Sequence, residues 1–149
     1  MGMSISAMVA YSIAAFDVGY EPWMNEECEE VMPAEDWLML HSGEELPQTP
    51  PQPANWKDKD ADDVKAWFSY WAARREIRSR LGVRLEFEGT EHWAEWHLIA
   101  DVDVKACGVI DPAALSAVES EAHAKLAAFC ARAGLEMKAP GWRVIASYG

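Results

Sequence analysis

The sequence predicts an α+β protein with a ferredoxin-like βαββαβ arrangement, in which two helices pack on one face of a four-stranded antiparallel sheet. Three observations support this prediction. Polar and apolar residues alternate from Val83 to Lys105, two long segments have helical spacing, and shorter alternating segments lie near both ends of the chain. The order of elements is therefore strand, helix, strand, strand, helix, strand, which is the split βαβ succession.

The segment from Val83 to Lys105 is predicted to form a β-hairpin with its turn at Gly89-Thr90. A period of two places alternate side chains on opposite faces of a sheet. One face of this hairpin is apolar and is expected to be buried. The other face is expected to contact solvent, and it consists of Arg84, Glu86, Glu88, Glu95, His97, Ile99, Asp101 and Asp103.

The two remaining strands are predicted near the ends of the chain. Residues Ser4 to Ile13 alternate between larger apolar side chains and smaller ones, and the segment from Trp142 to Tyr148 alternates in a similar way. In the βαββαβ arrangement the first strand and the second hairpin strand occupy the centre of the sheet. These two strands are also the longest that the pattern predicts.

Two long helices are indicated by their apolar spacing and by the residues at their ends. The first begins at Asp60 or Asp62 and stops before Gly82. The second begins with Asp111-Pro112, a capping residue followed by proline at the first helical position, and stops at Gly134. The apolar stripe predicted for the first helix consists of Val64, Trp67, Phe68 and Trp71, with Ile77 and Leu81 continuing less regularly.

The segment from Asp17 to Trp56 is predicted to be an acidic, proline-rich insertion before the first long helix, within a single domain of residues 1–149. Asn25 is expected to cap a short acidic turn that extends to Glu30. A short helix is predicted from Pro33 to His41. A stiff, extended connector follows, because this part of the chain contains Pro47, Pro50, Pro51 and Pro53.

The negative charge is concentrated in the first part of the chain. The net charge is −12, and residues 1–56 contain ten acidic residues and no Lys or Arg. An acidic surface attracts basic proteins and repels phosphate groups. This distribution favours a basic protein or a nucleic-acid-handling complex as the partner and disfavours direct binding to nucleic acid.

Three groups of residues suggest chemistry, although no catalytic motif is present. His97 shares its predicted face with Glu95 and Asp101, and a carboxylate-histidine group could bind a divalent metal or act as acid and base. Arginines are dense from Arg74 to Arg84 and could bind a phosphate, but pairing with the acidic segment is the favoured use. Glu119 and His123, one helical turn apart, are a weaker candidate pair for a metal. The preferred interpretation contains no catalytic group, no metal and no cofactor.

The cysteines and the N-terminus carry no export or membrane signal. Three cysteines without a CxxC spacing predict reduced, structural thiols, and the apolar N-terminal run is too short to span a bilayer. A cytoplasmic location is expected. The tryptophans divide into two predicted groups: Trp67, Trp71 and Trp96 in the core, and Trp23, Trp37, Trp56 and Trp93 at positions suited to an interface.

The leading hypothesis is a non-enzymatic acidic protein that inhibits or regulates a macromolecular partner by occupying its basic, nucleic-acid-binding surface. A phage-encoded inhibitor of host defence, such as an anti-CRISPR protein, is one setting, and a toxin immunity protein is another. The alternatives are a small enzyme or ligand-binding domain that uses Arg74–Arg84 or His97, and a self-assembling protein such as a homodimer. The predicted partner-binding residues are Glu26, Glu27, Glu29, Glu30, Glu35, Asp36, Trp37, Glu86, Glu88, Glu95, Asp101 and Asp103.

Overall fold

The computed structural model describes residues 5–17, 19–90, 93–104 and 110–148. Within them the fold is mixed α+β, with three helices and a four-stranded antiparallel open sheet whose strand order is β2-β3-β1-β4. Strands β1 and β3 are central, as the sequence predicts. The ferredoxin-like arrangement and the insertion remain predictions. The elements are β1 (Ile5–Asp17), α1 (Ala34–Leu40), α2 (Asp62–Arg80), β2 (Val83–Thr90), β3 (Trp93–Ala100), α3 (Pro112–Ala133) and β4 (Gly141–Tyr148).

Strand β1 continues four residues beyond its predicted end at Ile13. A β-bulge between Ala14 and Phe16 shifts the alternation by one residue, so Ala14 pairs with His97 and Phe16 pairs with Trp96. An irregularity of this kind breaks the period-two pattern on which the sequence prediction relied. The first part of β1 pairs with β4, and the last part pairs with β3.

The hairpin is present, but its turn is not at Gly89-Thr90. Both residues belong to β2, where Gly89 pairs with Ala94 and Thr90 pairs with Trp93. The strands therefore continue further than the glycine signal suggests. The two connecting residues, 91 and 92, lie outside the described residues.

The predicted ends of the long helices agree closely with the structure. The Asp111 side chain accepts a hydrogen bond from the Ala113 backbone N–H at 3.0 Å, and Pro112 occupies the first helical position of α3. Gly134 ends α3 in the left-handed region with φ 69°, and Gly82 follows α2 with φ 73°. Both are conformations that glycine adopts without steric cost.

The main core lies between the three helices and one face of the sheet. The short helix α1 contributes Trp37, Leu38 and Met39, which lie beside Phe129 of α3 and Leu98 of β3 in the same buried cluster. The acidic segment, residues 17–56, is therefore anchored to the core by its own apolar residues. Burial of large apolar side chains is the dominant favourable term for this attachment.

Helix α2 and the residue that follows it bury only part of the predicted stripe, namely Val64, Ile77 and Leu81. Phe68 and Trp71 are 57% and 41% exposed, whereas Tyr70 is buried. The first half of α2 faces the proline-rich connector: the Thr49 hydroxyl hydrogen-bonds to the Tyr70 hydroxyl at 3.1 Å, and the ring of Trp56 packs edge-on against Trp67 at 5.7 Å between centroids. The prediction was wrong for Phe68 and Trp71, because the connector packs against the side of α2 that carries Tyr70.

The sheet face opposite the helices is also largely buried, which contradicts the prediction of a solvent-contacting face. Ala10, Ile99 and Ile145 form a second buried cluster to which none of the described helices contributes. His97 is 2% exposed, and Ser12 is fully buried. Edge strands β2 and β4 approach within 8 Å (Cα–Cα). The sheet thus curls towards this face and encloses it.

Candidate functional site

Residues Glu26 to Glu30 form a compact turn, called the acidic turn below. The Asn25 Oδ1 atom accepts hydrogen bonds from the backbone N–H groups of Glu27 (3.0 Å) and Glu29 (2.8 Å). The backbone of Asn25 closes the turn by donating to the Glu29 carbonyl at 2.9 Å. The prediction that Asn25 caps an acidic turn is confirmed. The carboxylates consequently project from a fixed backbone.

The four glutamates of the acidic turn are exposed: Glu26, Glu27, Glu29 and Glu30. Within the part of the chain that the structure describes, none of them forms an ion pair with Lys, Arg or His. Four like charges this close raise the local negative potential, and that potential is largest where no cation offsets it.

The acidic residues that follow the turn are neutralised by α2. Asp36 pairs with Arg74, Glu35 pairs with Arg78 at 3.4 Å, and Glu44 pairs with Arg80 at 2.6 Å. These ion pairs confirm the favoured use of the arginines. Three of the arginines proposed as a phosphate site are therefore already engaged by carboxylates.

Arg74 is the most enclosed of these arginines. Burial by itself would lower the pKa of Arg74, but the hydrogen bond and the negative charge of Asp36 raise it above its usual value. The guanidinium also lies over the rings of Tyr70 and Trp71 at 5.5 and 5.3 Å. Such contacts fix α1 against α2 and make Arg74 a structural residue.

Trp37 lies in the core, in contrast to its predicted role in partner binding. Its side chain is 6% exposed, and its ring packs against Phe16, Trp23 and Phe129 at centroid distances of 5.4 to 6.0 Å. Trp23 is buried beside it. The apolar neighbours explain the correction, because a tryptophan among acidic residues in sequence need not be among them in space. Trp56 is exposed, and the Trp93 side chain lies outside the described residues.

The carboxylates predicted on the hairpin separate into two environments. Asp101 and Asp103 are exposed beyond the end of β3. Glu86, Glu88 and Glu95 lie instead on the enclosed face and are only partly exposed. These three carboxylates are therefore less accessible to a large basic partner than those of the acidic turn.

Glu88, Glu95 and His97 form a group on the enclosed face, called the His97 cluster below. Glu88 of β2 lies directly opposite Glu95 of β3, and His97 is two residues further along the same face. The His97 Nε2 atom is 2.8 Å from Glu88 Oε2 and 3.2 Å from Glu95 Oε1. The structure thus brings together a histidine and two carboxylates that the sequence placed on a solvated face. Asp101, which was also predicted beside His97, does not belong to this group of possible metal ligands.

Glu119 and His123 each interact with an aromatic residue of the sheet. The Trp142 Nε1–H donates to Glu119 Oε1 at 3.1 Å, and the Tyr11 hydroxyl hydrogen-bonds to His123 Nδ1 at 2.8 Å. Burial, with a further contribution from the charge of Glu119, raises the pKa of Tyr11, while Arg143 acts in the opposite direction. These contacts assign the pair to helix–sheet packing.

Exposed aromatic residues on one part of α2 are a feature that sequence reasoning missed. Phe68 and Trp71 are exposed, and the ring of Trp67 contacts those of Trp71 and Trp56 edge-on. These four residues are called the aromatic strip below. Their spacing along the helix was visible in the sequence, but it was interpreted as a buried stripe.

Comparison with protein-family models, curated proteins and solved structures gives no match. Among the helices that the structure describes, none is long and apolar enough to cross a membrane. The functional interpretation therefore depends on the geometry of the acidic turn, the His97 cluster and the aromatic strip.

Proposed function

We propose that this chain is a non-enzymatic acidic protein that binds a basic, nucleic-acid-binding surface of a macromolecular partner and thereby inhibits or regulates it. The observation that carries the proposal is the acidic turn. Its glutamates are exposed, are held by hydrogen bonds to Asn25, and have no cationic partner within the described residues.

Physical reasoning supports this use of the acidic turn. The backbone of the acidic turn is preformed, so less backbone conformational entropy is lost when its carboxylates meet a row of basic residues. Opposite charge also raises the rate of association, and salt weakens this effect. A surface that normally binds phosphates offers the complementary charge. Asp101 and Asp103 are exposed and provide a second group of contacts in the proposal.

Trp37 is not carried into the proposed surface because it is buried. Glu35 and Asp36 contribute less than the acidic turn because Arg78 and Arg74 offset their charges. The proposed settings are those that the charge distribution suggests: a phage-encoded inhibitor of a host defence complex, including an anti-CRISPR protein, or an immunity protein that blocks a basic toxin. A cytoplasmic location belongs to the same proposal.

The test compares two variants with the same net charge. In the first, the acidic turn is neutralised by Glu26→Gln, Glu27→Gln, Glu29→Gln and Glu30→Gln. In the matched control, four exposed glutamates elsewhere are neutralised by Glu45→Gln, Glu76→Gln, Glu121→Gln and Glu136→Gln. Each tagged protein is incubated with lysate of the native host at low and high salt, and the retained proteins are quantified by mass spectrometry.

We expect the wild type and the control to retain the same basic protein or nucleic-acid-handling complex, and the acidic-turn variant to retain at least about tenfold less of it. High salt should reduce retention in all three cases. Addition of duplex DNA should release the partner if its nucleic-acid-binding surface is occupied. Equal retention by the two variants would show that the acidic turn does not carry binding.

Cys28 provides an independent measurement at the same surface. This thiol is exposed within the acidic turn, whereas Cys130 is buried and its burial raises the pKa of the thiol. Cys107 lies outside the described residues, so the experiment uses Cys107→Ser. A fluorophore attached to Cys28 should change its emission when the identified partner binds, and an unchanged signal would place the interface elsewhere.

The ferredoxin-like arrangement is also a proposal. We infer a ferredoxin-like arrangement with residues 17–56 inserted before the first long helix. The strand order β2-β3-β1-β4, the antiparallel pairing and the shared core of the helices support the assignment. An experimental structure whose edge strands or crossovers differ would contradict it.

Self-association is a second candidate function, favoured by the aromatic strip. Exposed aromatic residues on one helix commonly mark an interface, and a second copy of the chain would bury them symmetrically. Sedimentation at two protein concentrations tests this idea, with Phe68→Ser and Trp71→Ser combined as the variant. A concentration-dependent dimer that the double variant abolishes would support it, and a monomer at both concentrations would exclude it.

A further inference from the structure

We propose that the His97 cluster is a binding site for a divalent first-row transition-metal ion of the Zn²⁺ type. Its ligands would be His97 Nε2 and one carboxylate oxygen each of Glu88 and Glu95. This inference is independent of the acidic turn and revises the expectation, drawn from the sequence, that the chain has no metal site.

Strand pairing places the three side chains together. Glu88 and Glu95 are directly opposite on neighbouring antiparallel strands, an arrangement that is unfavourable for two like charges unless a cation lies between them. His97 follows Glu95 by two residues and therefore projects from the same face. A regular sheet thus holds all three ligands without requiring a flexible loop.

The distances within the cluster suit a shared ion. One ligand atom from each of the three residues lies within 4.8 Å of the other two. Ligand atoms that are each about 2.1 Å from one ion are roughly 3.0 to 3.4 Å from one another. The separations of 2.8 and 3.2 Å between His97 Nε2 and the two carboxylates are close to this range.

The orientation of His97 is the second, independent observation. Although the side chain is 2% exposed, neither ring nitrogen makes a hydrogen bond with the described residues, because neither carboxylate oxygen is aligned with a ring N–H. Two ligands of the same ion are likewise close together without one donating a hydrogen bond to the other. A buried imidazole without hydrogen bonds is costly, and metal binding would satisfy its Nε2 atom.

The surroundings of the cluster are partly apolar. Ile99 and Ile145 lie on the same enclosed face, and low polarity strengthens the attraction between a cation and its carboxylates. Of the three proposed ligands, Glu95 also lines a cleft of 390 Å³ together with Asp17 and the segment that follows α3.

A composition of one imidazole and two carboxylates selects the class of ion. Imidazole suits Zn²⁺ and neighbouring transition metals, whereas Mg²⁺ and Ca²⁺ prefer oxygen ligands alone. Three protein ligands leave positions for water or for a small anionic ligand. This arrangement is typical of open metal sites, while structural zinc sites are usually closed by four protein ligands.

A simpler arrangement would be a protonated His97 that offsets the charges of both glutamates without any metal. The experiment must therefore detect the ion itself. Isothermal titration calorimetry with Zn²⁺, and separately with Mg²⁺, is performed on the full chain after removal of any polyhistidine tag. The variants are Glu88→Gln and Glu95→Gln. The matched control is Glu86→Gln, which makes the same charge change on the same sheet face; Glu86 lies opposite His97 in the strand register but is not one of the three proposed ligands.

We expect the wild type to bind one Zn²⁺ with a micromolar or lower Kd and to bind Mg²⁺ at least about 100-fold more weakly. Glu88→Gln and Glu95→Gln should each weaken Zn²⁺ binding at least about tenfold. Glu86→Gln should change it by less than about threefold. The two ligand variants are read separately, so a folding defect in one leaves the other informative, and circular dichroism identifies any such defect.

Three results would overturn the proposal. The first is the absence of stoichiometric Zn²⁺ binding at 100-fold excess. The second is equal weakening by all three variants, which would indicate attraction by diffuse negative charge. The third is Zn²⁺ binding that neither ligand variant affects, which would place the ion at another histidine. Because none of these variants alters the acidic turn, failure here leaves the proposed function standing.

Discussion

The acidic turn and the His97 cluster contain the same type of side chain in opposite environments. The glutamates of the acidic turn are exposed and unpaired within the described residues, whereas Glu88 and Glu95 flank a buried histidine. The first group is accessible to a large partner, whereas the second is largely enclosed by the sheet. The number of acidic residues in a chain is therefore a weaker guide to function than the way in which the fold encloses them.

Different ranges of interaction create the two environments. The acidic turn depends on hydrogen bonds to Asn25, which is within four residues of every donor. The His97 cluster forms by pairing of β2 with β3, and its burial accompanies the approach of β2 to β4, which are far apart in sequence. One environment is a local property of the chain, and the other exists only in the complete sheet.

The largest expected effect concerns Trp37, which anchors residues 17–56 to the core. Trp37→Ala should lower the free energy of unfolding by about 3 to 5 kcal/mol, because it removes a large side chain from the core. Urea unfolding monitored by circular dichroism measures the change. Trp56→Ala, at an exposed tryptophan of the same predicted segment, is the control. Similar small effects for the two variants would mean that residues 17–56 are only loosely attached to the core, contrary to the burial of Trp37.

A smaller effect tests the enclosure of the helix-free face. Ile99→Ala should cost about 2 to 4 kcal/mol, because Ile99 is 1% exposed although no described helix covers it. Val144→Ala, at a β4 position that is 64% exposed, should cost less than about 0.5 kcal/mol. Equal and small costs in urea unfolding would mean that the face is open, as the sequence alone suggests.

The smallest expected effect sharpens the contrast between the glutamates. Glu26→Gln and Glu27→Gln should each leave the free energy of unfolding within about 0.5 kcal/mol of the wild type, since neither side chain makes an ion pair in the described structure. Removal of one of several like charges should, if anything, be slightly stabilising at low salt. Thermal unfolding at two salt concentrations measures both effects. A loss above about 1 kcal/mol would assign these residues a structural role.

Features determined by neighbouring residues could be predicted from the sequence. The Asp111 cap, the stops at Gly82 and Gly134, and the Asn25 turn all involve contacts within a few residues, and each has the conformation that its sequence indicates. The faces of the two hairpin strands could also be predicted, because alternation fixes which side chains share a face.

Features that depend on distant parts of the chain could not be predicted in the same way. The stripe of Phe68 and Trp71 has correct helical spacing, yet the connector packs on the side that carries Tyr70. His97 was correctly placed on the face opposite the helices. Its burial follows from the curl of the sheet, and a pattern of alternation contains no information about curvature.

Glu88 also connects the two edges of the sheet. Its Oε1 atom accepts a hydrogen bond from the backbone N–H of Ala146 on β4 at 3.4 Å, while Oε2 approaches His97. An unpaired edge N–H is a template on which a strand of another molecule can add. The carboxylate of Glu88 occupies one such N–H of edge strand β4, so the curl of the sheet satisfies a backbone donor through a side chain that also belongs to the proposed metal site.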